Sequence, residues 1–171
     1  MRPASCHAAA TALVRENGFD VELDVVGLDT LNGALQRSPH AVALGERIRW
    51  HGHLSRGGVR ALMDRADCLV ITSRHEAGPL VVLEAAIAGV PTVGTRVGHI
   101  ADWAPDAAVA VAVGDAASLA REIIALLADE SRRFGIAKEA QRRAIAVDAD
   151  STAAAFERIH GRIAHDAVSS A

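Results

Sequence analysis

Residues 68–95 read CLVITSRHEAGPLVVLEAAIAGVPTVGT, and this stretch decides the fold. It begins with a continuous apolar run at 68–72, which is typical of a buried strand in a parallel sheet. A turn at Gly78 leads into a helix predicted over 79–88, which Gly89 ends, and a second strand follows at 91–95. A strand, a helix and a strand in this order predict a parallel sheet covered by helices.

The same alternation extends along the rest of the chain. Further elements are predicted as strands at 21–26, 48–51 and 109–113, and as helices at 8–16, 31–37, 58–65 and 131–147. We expect Pro39 to limit the helix at 31–37, and Asp115 and Ser151 to cap helices. The predicted fold is one α/β domain over residues 1–171. It is a Rossmann-like, doubly wound parallel sheet with C-terminal helices from about residue 115 onward.

Composition narrows the class of protein. The net charge is -3, so nothing favours nucleic acid as a partner. The first residues lack the apolar segment of a signal peptide, and no apolar run approaches the ~20 residues that span a bilayer. We therefore expect a cytoplasmic protein; association with a membrane surface stays open, but no feature of the sequence shows it. The two cysteines, Cys6 and Cys68, have no metal-binding spacing, and Cys68 is predicted to be a buried thiol.

The start of the chain departs from the expected strand order. A doubly wound sheet begins with a strand that lies at its centre, whereas this chain begins with a helix. The predicted strands at 21–26 and 68–72 would then flank an empty slot, and their unpaired backbone groups would be costly to bury. We hypothesise that the protein extends N-terminally and that its first, central strand is missing here. A sixth strand built from residues 1–5 would refute this.

The start of the helix at 79–88 is the most informative point for function. Proline suits the first helical position, so we expect Pro79 to open the helix. The free amides of Leu80 and Val81 would then point out of the helix at the carboxyl edge of the sheet. A helix start of this kind attracts an anion through its amides and its dipole, and doubly wound folds bind ligands at this edge.

Two glutamates flank this helix start. Glu84 lies five residues beyond Pro79, roughly 7.5 Å along the axis, where a ribose attached to a bound diphosphate would lie. It is the only charge in LVVLEAAIA, a segment so apolar that we expect the helix to be buried and the carboxylate to need a partner. Glu76, in the preceding loop, would reach a sugar on the far side of the phosphates.

Glu76 and Glu84 together resemble the E-x7-E motif of the group 1 (family 4) glycosyltransferases, which have the two-domain GT-B fold. The resemblance continues in order through EAA at 84–86, GVP at 89–91, VGT at 93–95, VG at 97–98 and GD at 114–115. Upstream, VVG at 25–27 and IRWHG at 48–52 are similar to the family's second and third strands. The resemblance therefore covers nearly the whole chain.

This resemblance implies a C-terminal donor-binding domain that holds a nucleoside-diphosphate sugar, with transfer that retains the anomeric configuration and needs no metal or other cofactor. Glu76 would be the catalytic residue on the donor sugar, Glu84 would hold the ribose, and His53 and Leu54 would lie beside the base. The remaining candidate donor-binding residues lie in or next to the loop before the helix: Ser73, His75, Gly78, Pro79, Leu80 and Val81. The missing partner is an N-terminal acceptor domain.

The sequence departs from the family pattern at its phosphate clamp. The arginine and lysine that usually follow the first strand are absent, and the single lysine, Lys138, lies in a late helix. The loop arginines Arg56, Arg74 and Arg96 are the remaining candidates. Pro79 also occupies a position often held by glycine, although Gly78 precedes it.

Three other interpretations stay open. His51 and His53, with His75 or His99, have a spacing that is compatible with a weak metal site, but no acidic cluster accompanies them. The chain could be a noncatalytic fragment or a nucleotide-sugar-binding module. It could also belong to a GT-B-fold sugar epimerase, which would share the donor site.

Overall fold

Five parallel strands alternate with helices in the part of the chain that the computed structural model describes, residues 6–28 and 31–146. The strands are β1 Leu23–Val26, β2 Ile48–Gly52, β3 Leu69–Ile71, β4 Thr92–Thr95 and β5 Val109–Val111. The helices are α1 Cys6–Glu16, α2 Pro39–Leu44, α3 Arg56–Met63, α4 Leu80–Ile87, α5 Gly98–Trp103, α6 Ala116–Ala128 and α7 Glu130–Ala146, with a 3₁₀ turn at Gly45–Arg47. The strand positions predicted from apolar runs are confirmed, although each strand is a little shorter or shifted at its ends.

The strands form two separate parallel sheets rather than one. β1 pairs with β2 in one sheet, and the order β3-β4-β5 makes up the other. Within the described residues no strand pairs with the second edge of β1 or with that of β3. The hypothesis of a missing central strand agrees with this split; residues 1–5, which were named as its test, lie outside the described part.

Helix α1 and one ion pair hold the two sheets beside each other. Ala8 of α1 packs in the cluster that contains Leu23 of β1, whereas Val14 of the same helix packs in the cluster that contains Val93 of β4. On the β1 side, Oδ2 of Asp24 accepts a hydrogen bond of 2.9 Å from Nη2 of Arg65, which lies between α3 and β3. We call the region between β1 and β3 the seam.

The burial of the strands reflects this seam. All four residues of β4 are buried, because β3 and β5 pair with its edges and helices α5 and α6 pack against it. The three residues of β3 are only half-buried, so the prediction of a buried strand at 68–72 is confirmed for the strand but not for its burial. An apolar run shows what a strand can bury, but neighbouring strands decide how much of it is covered.

The second helix begins where the sequence prediction ended it. Residues 31–37 form turns, with Asn32 and Gly33 at positive φ, and α2 begins at Pro39. Ser38 caps it by accepting a hydrogen bond of 3.3 Å from the amide of Ala41. The Ser-Pro pair is a helix-start signal, since proline at the first helical position loses no helical hydrogen bond.

The helices after β4 complete the core. The short α5 was not predicted, yet its Ile100 and Trp103 are buried. Asp115 caps α6 by accepting from the amide of Ser118 at 2.9 Å, as predicted, and Leu119 and Leu126 on one face of α6 are buried. The helix predicted to begin at Ser151 lies outside the described residues. Among residues 6–28 and 31–146, no helix has both the length and the apolar composition that crossing a bilayer requires.

Substitution by alanine at two glycines should change the free energy of unfolding in opposite directions. A Cβ on Gly94, in the buried β4, would lie 2.4 Å from the carbonyl oxygen of Ile71. Because that atom is backbone and cannot move cheaply, we expect Gly94→Ala to lower the free energy of unfolding by about 1–3 kcal/mol. Gly135, on the exposed side of α7, has open space around its Cβ position, so Gly135→Ala should raise it by about 0.5–1 kcal/mol. Urea unfolding of both variants measures these changes. A change in the same direction in both variants would contradict the prediction.

Candidate functional site

The loop that joins β3 to α4, residues 72–79, is anchored by a buried hydroxyl. Oγ1 of Thr95, in the fully buried β4, donates a hydrogen bond of 2.5 Å to the carbonyl oxygen of Ser73. Within the loop, Oγ of Ser73 donates to Oε1 of Glu76 at 2.7 Å. The structure therefore brings together Ser73 and Glu76, two of the predicted site residues, and ties both to the centre of the sheet.

A second contact holds the loop from the side of α5. Gly98 has φ +48, and a Cβ there would lie 2.9 Å from the carbonyl oxygen of Ala77 and 3.0 Å from that of Glu76. A Cβ on Gly78 would lie 2.8 Å from Nε2 of His99. The segment after β4 thus packs closely on the loop backbone. His99 is a neighbour of the site that the sequence suggested only as a weak metal ligand.

Helix α4 leaves two amides free at its start. Pro79 lies just before the helix, with φ -66 and ψ 118, so the prediction that it is the first helical residue was wrong by one position. The amide of Val82 donates to the carbonyl oxygen of Pro79 at 3.0 Å, whereas those of Leu80 and Val81 have no acceptor within the described part of the chain. Both are therefore available to an anion, as the sequence predicted.

The side chain of Glu84 is exposed, contrary to the expectation that a nearly all-apolar helix is buried on every side. The buried face of α4 consists of Val82, Ala85 and Ala86. Leu80, Glu84 and Ile87 lie on the opposite stripe at helical spacing, and all three are exposed. The carboxylate of Glu84 has no hydrogen bond or ion pair to a described residue, so burial provides no argument for its role. Its role as a ribose ligand stays a prediction.

The other predicted site residues are placed but not linked to one another. His75 is exposed in the same loop as Glu76, and neither forms an ion pair with another described residue. His53 and Leu54 follow β2 in the other sheet; His53 is exposed, and Leu54 is half-buried, with a Cβ on Gly58 placed 3.3 Å from its own Cβ. Their proposed position beside a base stays a prediction.

The loop arginines differ in their surroundings. Arg96 points toward β5, where its Nη2 lies 3.4 Å from the carbonyl oxygen of Ala110 and its side chain lines a surface cavity of about 350 Å³. Arg56 and Arg74 are exposed and have no acidic partner in the described chain. Arg74 lies in the β3–α4 loop itself, so it is the better placed of the three to neutralise an anion at the start of α4.

One histidine of the His51–His53 pair contacts a carboxylate. Nε2 of His51 lies 2.6 Å from Oδ1 of Asp24, which is also bound to Arg65. Among the described residues, no three histidine, cysteine or acidic side chains form a group that could hold a metal ion. Burial, with a smaller contribution from the nearby carboxylate of Asp67, raises the pKa of the Cys68 thiol to about 12, so this thiol is a poor nucleophile.

Two surface cavities lie away from the loop. One, of about 340 Å³, is lined mainly by α1 and the start of α6, and the other is the cavity beside β5 that Arg96 lines. Neither contains a residue of the β3–α4 loop or of α4. The candidate site therefore consists of free amides and polar side chains that neither cavity contains.

Sequence comparison identifies the family. The family described as "Glycosyl transferases group 1" matches residues 5–129. The D-inositol 3-phosphate glycosyltransferase of Salinispora tropica is 33% identical over 146 residues, which is 80% of this chain and 30% of that protein. The glycogen synthase of Mycobacterium tuberculosis is 35% identical over 97 residues, 56% of this chain and 23% of that protein. The chain thus spans less than a third of the length of either relative.

Structural comparison supports the fold. The crystal structure of Anabaena HepE in complex with UDP-glucose superposes with a TM-score of 0.70 at 23% identity, covering 81% of this chain and 39% of that one. At this level of identity the likeness establishes a shared fold. The chain is therefore an α/β domain of the type that forms one half of a GT-B protein.

Thr95 provides a test of the loop anchor. In Thr95→Val the carbonyl of Ser73 loses its hydrogen-bond donor, so we expect the amides of residues 73–79 to exchange hydrogen faster, by about the fivefold that a loss of about 1 kcal/mol implies. Thr95→Ser keeps the hydroxyl and loses a buried methyl group. It should lower the free energy of unfolding by about 0.8 kcal/mol. The ratio of amide exchange rates in the loop to those in the core should stay unchanged. Equal loop exchange in the two variants would contradict the anchor.

Proposed function

Because the chain belongs to the group 1 glycosyl transferases, we propose that it binds the nucleoside-diphosphate sugar from which a glycosyl group is transferred. The observation that carries the proposal is the pair of free amides on Leu80 and Val81, at the start of a helix that follows the carboxyl end of β3. In open α/β sheets, ligands bind at this edge. UDP-glucose is the ligand of the structurally similar HepE, which favours this class of ligand.

The diphosphate would be held mainly by the backbone. Two N–H groups and the positive end of the helix dipole favour a bound anion without the reorganisation that flexible side chains require. Arg74, exposed and unpaired in the same loop, would supply the positive charge that stabilises the diphosphate as it leaves. This arrangement replaces, at least in part, the arginine and lysine clamp that the described chain does not provide.

The two glutamates would define the orientation of the donor. Glu84 is exposed and unpaired in the second turn of α4, so its carboxylate is free to accept hydrogen bonds from ribose hydroxyls. Glu76 is held by Ser73 in the loop on the other side of the helix start, where it would contact the donor sugar as the catalytic residue. In this proposal, His53 and Leu54 lie beside the base, and transfer retains the anomeric configuration without a metal.

We further propose that activity requires a strand and a domain beyond the described residues. A parallel strand in the seam would pair with the open edges of β1 and β3, and it would place its carboxyl end beside the start of α4. An acceptor domain would close the site. If no strand fills the seam, the alternative is that the chain is a noncatalytic module that binds the nucleotide sugar. A location in the cytoplasm is part of the same proposal and rests on composition alone.

The roles of Glu76 and Glu84 should differ in how each substitution affects the affinities for UDP and for UDP-glucose. We expect Glu84→Gln to weaken UDP and UDP-glucose alike, by about tenfold or more, because a hydrogen bond to a charged group contributes about 1.5–3 kcal/mol. Glu76→Gln should weaken the binding of UDP-glucose and leave the affinity for UDP unchanged, because in this proposal the Glu76 side chain contacts only the sugar. Calorimetric titration of the protein with each ligand, and with the GDP and ADP counterparts, measures both effects.

Glu46→Gln is the matched control, since Glu46 is an exposed glutamate in the 3₁₀ turn before β2, and it should change neither affinity. Equal effects of Glu76→Gln on nucleotide and donor would mean that Glu76 is misassigned. The absence of any affinity for UDP, GDP or ADP in the unaltered protein would overturn the proposed function. Product analysis with a labelled donor separates transfer from epimerisation.

A further inference from the structure

The imidazole of His99 lies against the backbone of the β3–α4 loop at Gly78. A Cβ placed on Gly78 would lie 2.8 Å from Nε2 of His99, 3.2 Å from Cε1 and 3.4 Å from Cδ2. The φ of Gly78 lies outside the left-handed region that favours glycine. The space beside the His99 ring, and not a left-handed backbone, is therefore what favours glycine at position 78.

The ring of His99 is held in place from behind. It stacks on Trp103 with ring centroids 5.6 Å apart and an interplanar angle of 27°. Trp103 is itself buried, in a cluster that includes Val82 and Ala86 from the buried face of α4. The packing that holds the ring beside Gly78 is therefore continuous, through Trp103, with the packing of α4.

The contact with the loop is steric. The ring of His99 forms no hydrogen bond to another described residue, so no polar partner explains its position. The preceding residue, Gly98, contacts the same loop through the carbonyl oxygens of Glu76 and Ala77. Gly98 and His99 together bound the loop immediately before the two free amides of α4.

We infer that His99 is a positioning residue of the donor site. Its ring fixes Gly78, and through Gly78 it fixes the turn that presents the amides of Leu80 and Val81 to the diphosphate. This inference rests on the proposed function, because the turn matters for affinity only if an anion binds there. It assigns His99 to the site through its shape and not through a direct contact with the ligand.

A double-mutant cycle on Gly78 and His99 tests the inference, with the Kd for UDP as the readout. Gly78→Ala should raise the Kd by about tenfold, because the added methyl group meets the fixed ring and displaces the turn. His99→Ala should raise it less, because the turn is loosened but not displaced. The double variant should match His99→Ala alone, since without the ring the methyl group meets no obstacle.

His40→Ala is the matched control, since His40 lies in α2 away from the loop, and it should leave the Kd unchanged. Losses that multiply in the double variant would overturn the inference, because Gly78 and His99 would then act independently. The free energy of unfolding of each variant is measured in urea. If the losses of stability are large enough to explain the losses of affinity, the inference is also overturned. If the unaltered protein bound none of UDP, GDP and ADP, the proposed function would fail as well, whereas binding with independent losses refutes only the role of His99.

Discussion

The packing of α4 on the sheet is the constraint on which the candidate site depends. The buried face of the helix, Val82, Ala85 and Ala86, packs in clusters that also contain residues of β3 and α7. This packing places the first amides of α4 at the end of the loop 72–79, which follows the carboxyl end of β3. The chemistry at this point is therefore supplied by backbone groups whose direction is set by side chains several residues away.

The loop before α4 is determined by three separate neighbours. Thr95 holds its first part by a hydrogen bond, Gly98 allows a close approach to its carbonyl groups, and His99 packs on Gly78. Thr95 belongs to β4, whereas Gly98 and His99 are the first two residues of α5. The central strand of the second sheet and the start of α5 thus support the loop together. A preorganised loop lowers the entropic cost of binding a ligand.

The sequence predicted the strands and the main helices because apolar runs and Gly-Pro signals are local. It predicted the free amides of Leu80 and Val81 for the same reason, although it placed Pro79 one position too far into the helix. It failed where the answer depends on the surroundings. The exposure of Glu84 depends on which side of α4 is covered, and the contact of His99 with Gly78 joins two segments 21 positions apart. The start of α2 at Pro39 was signalled locally by Ser38 and was misinterpreted as an end.

The seam between β1 and β3 has a consequence for the behaviour of the chain in solution. Strand edges with unpaired N–H and C=O groups are templates for any extended segment, and proteins usually protect them with charged residues, proline or bulges. β3 is Leu-Val-Ile, without any of these safeguards. Wherever the seam is open, its edge would recruit extended segments from other molecules, and self-association through added strands would compete with the pairing that completes the sheet.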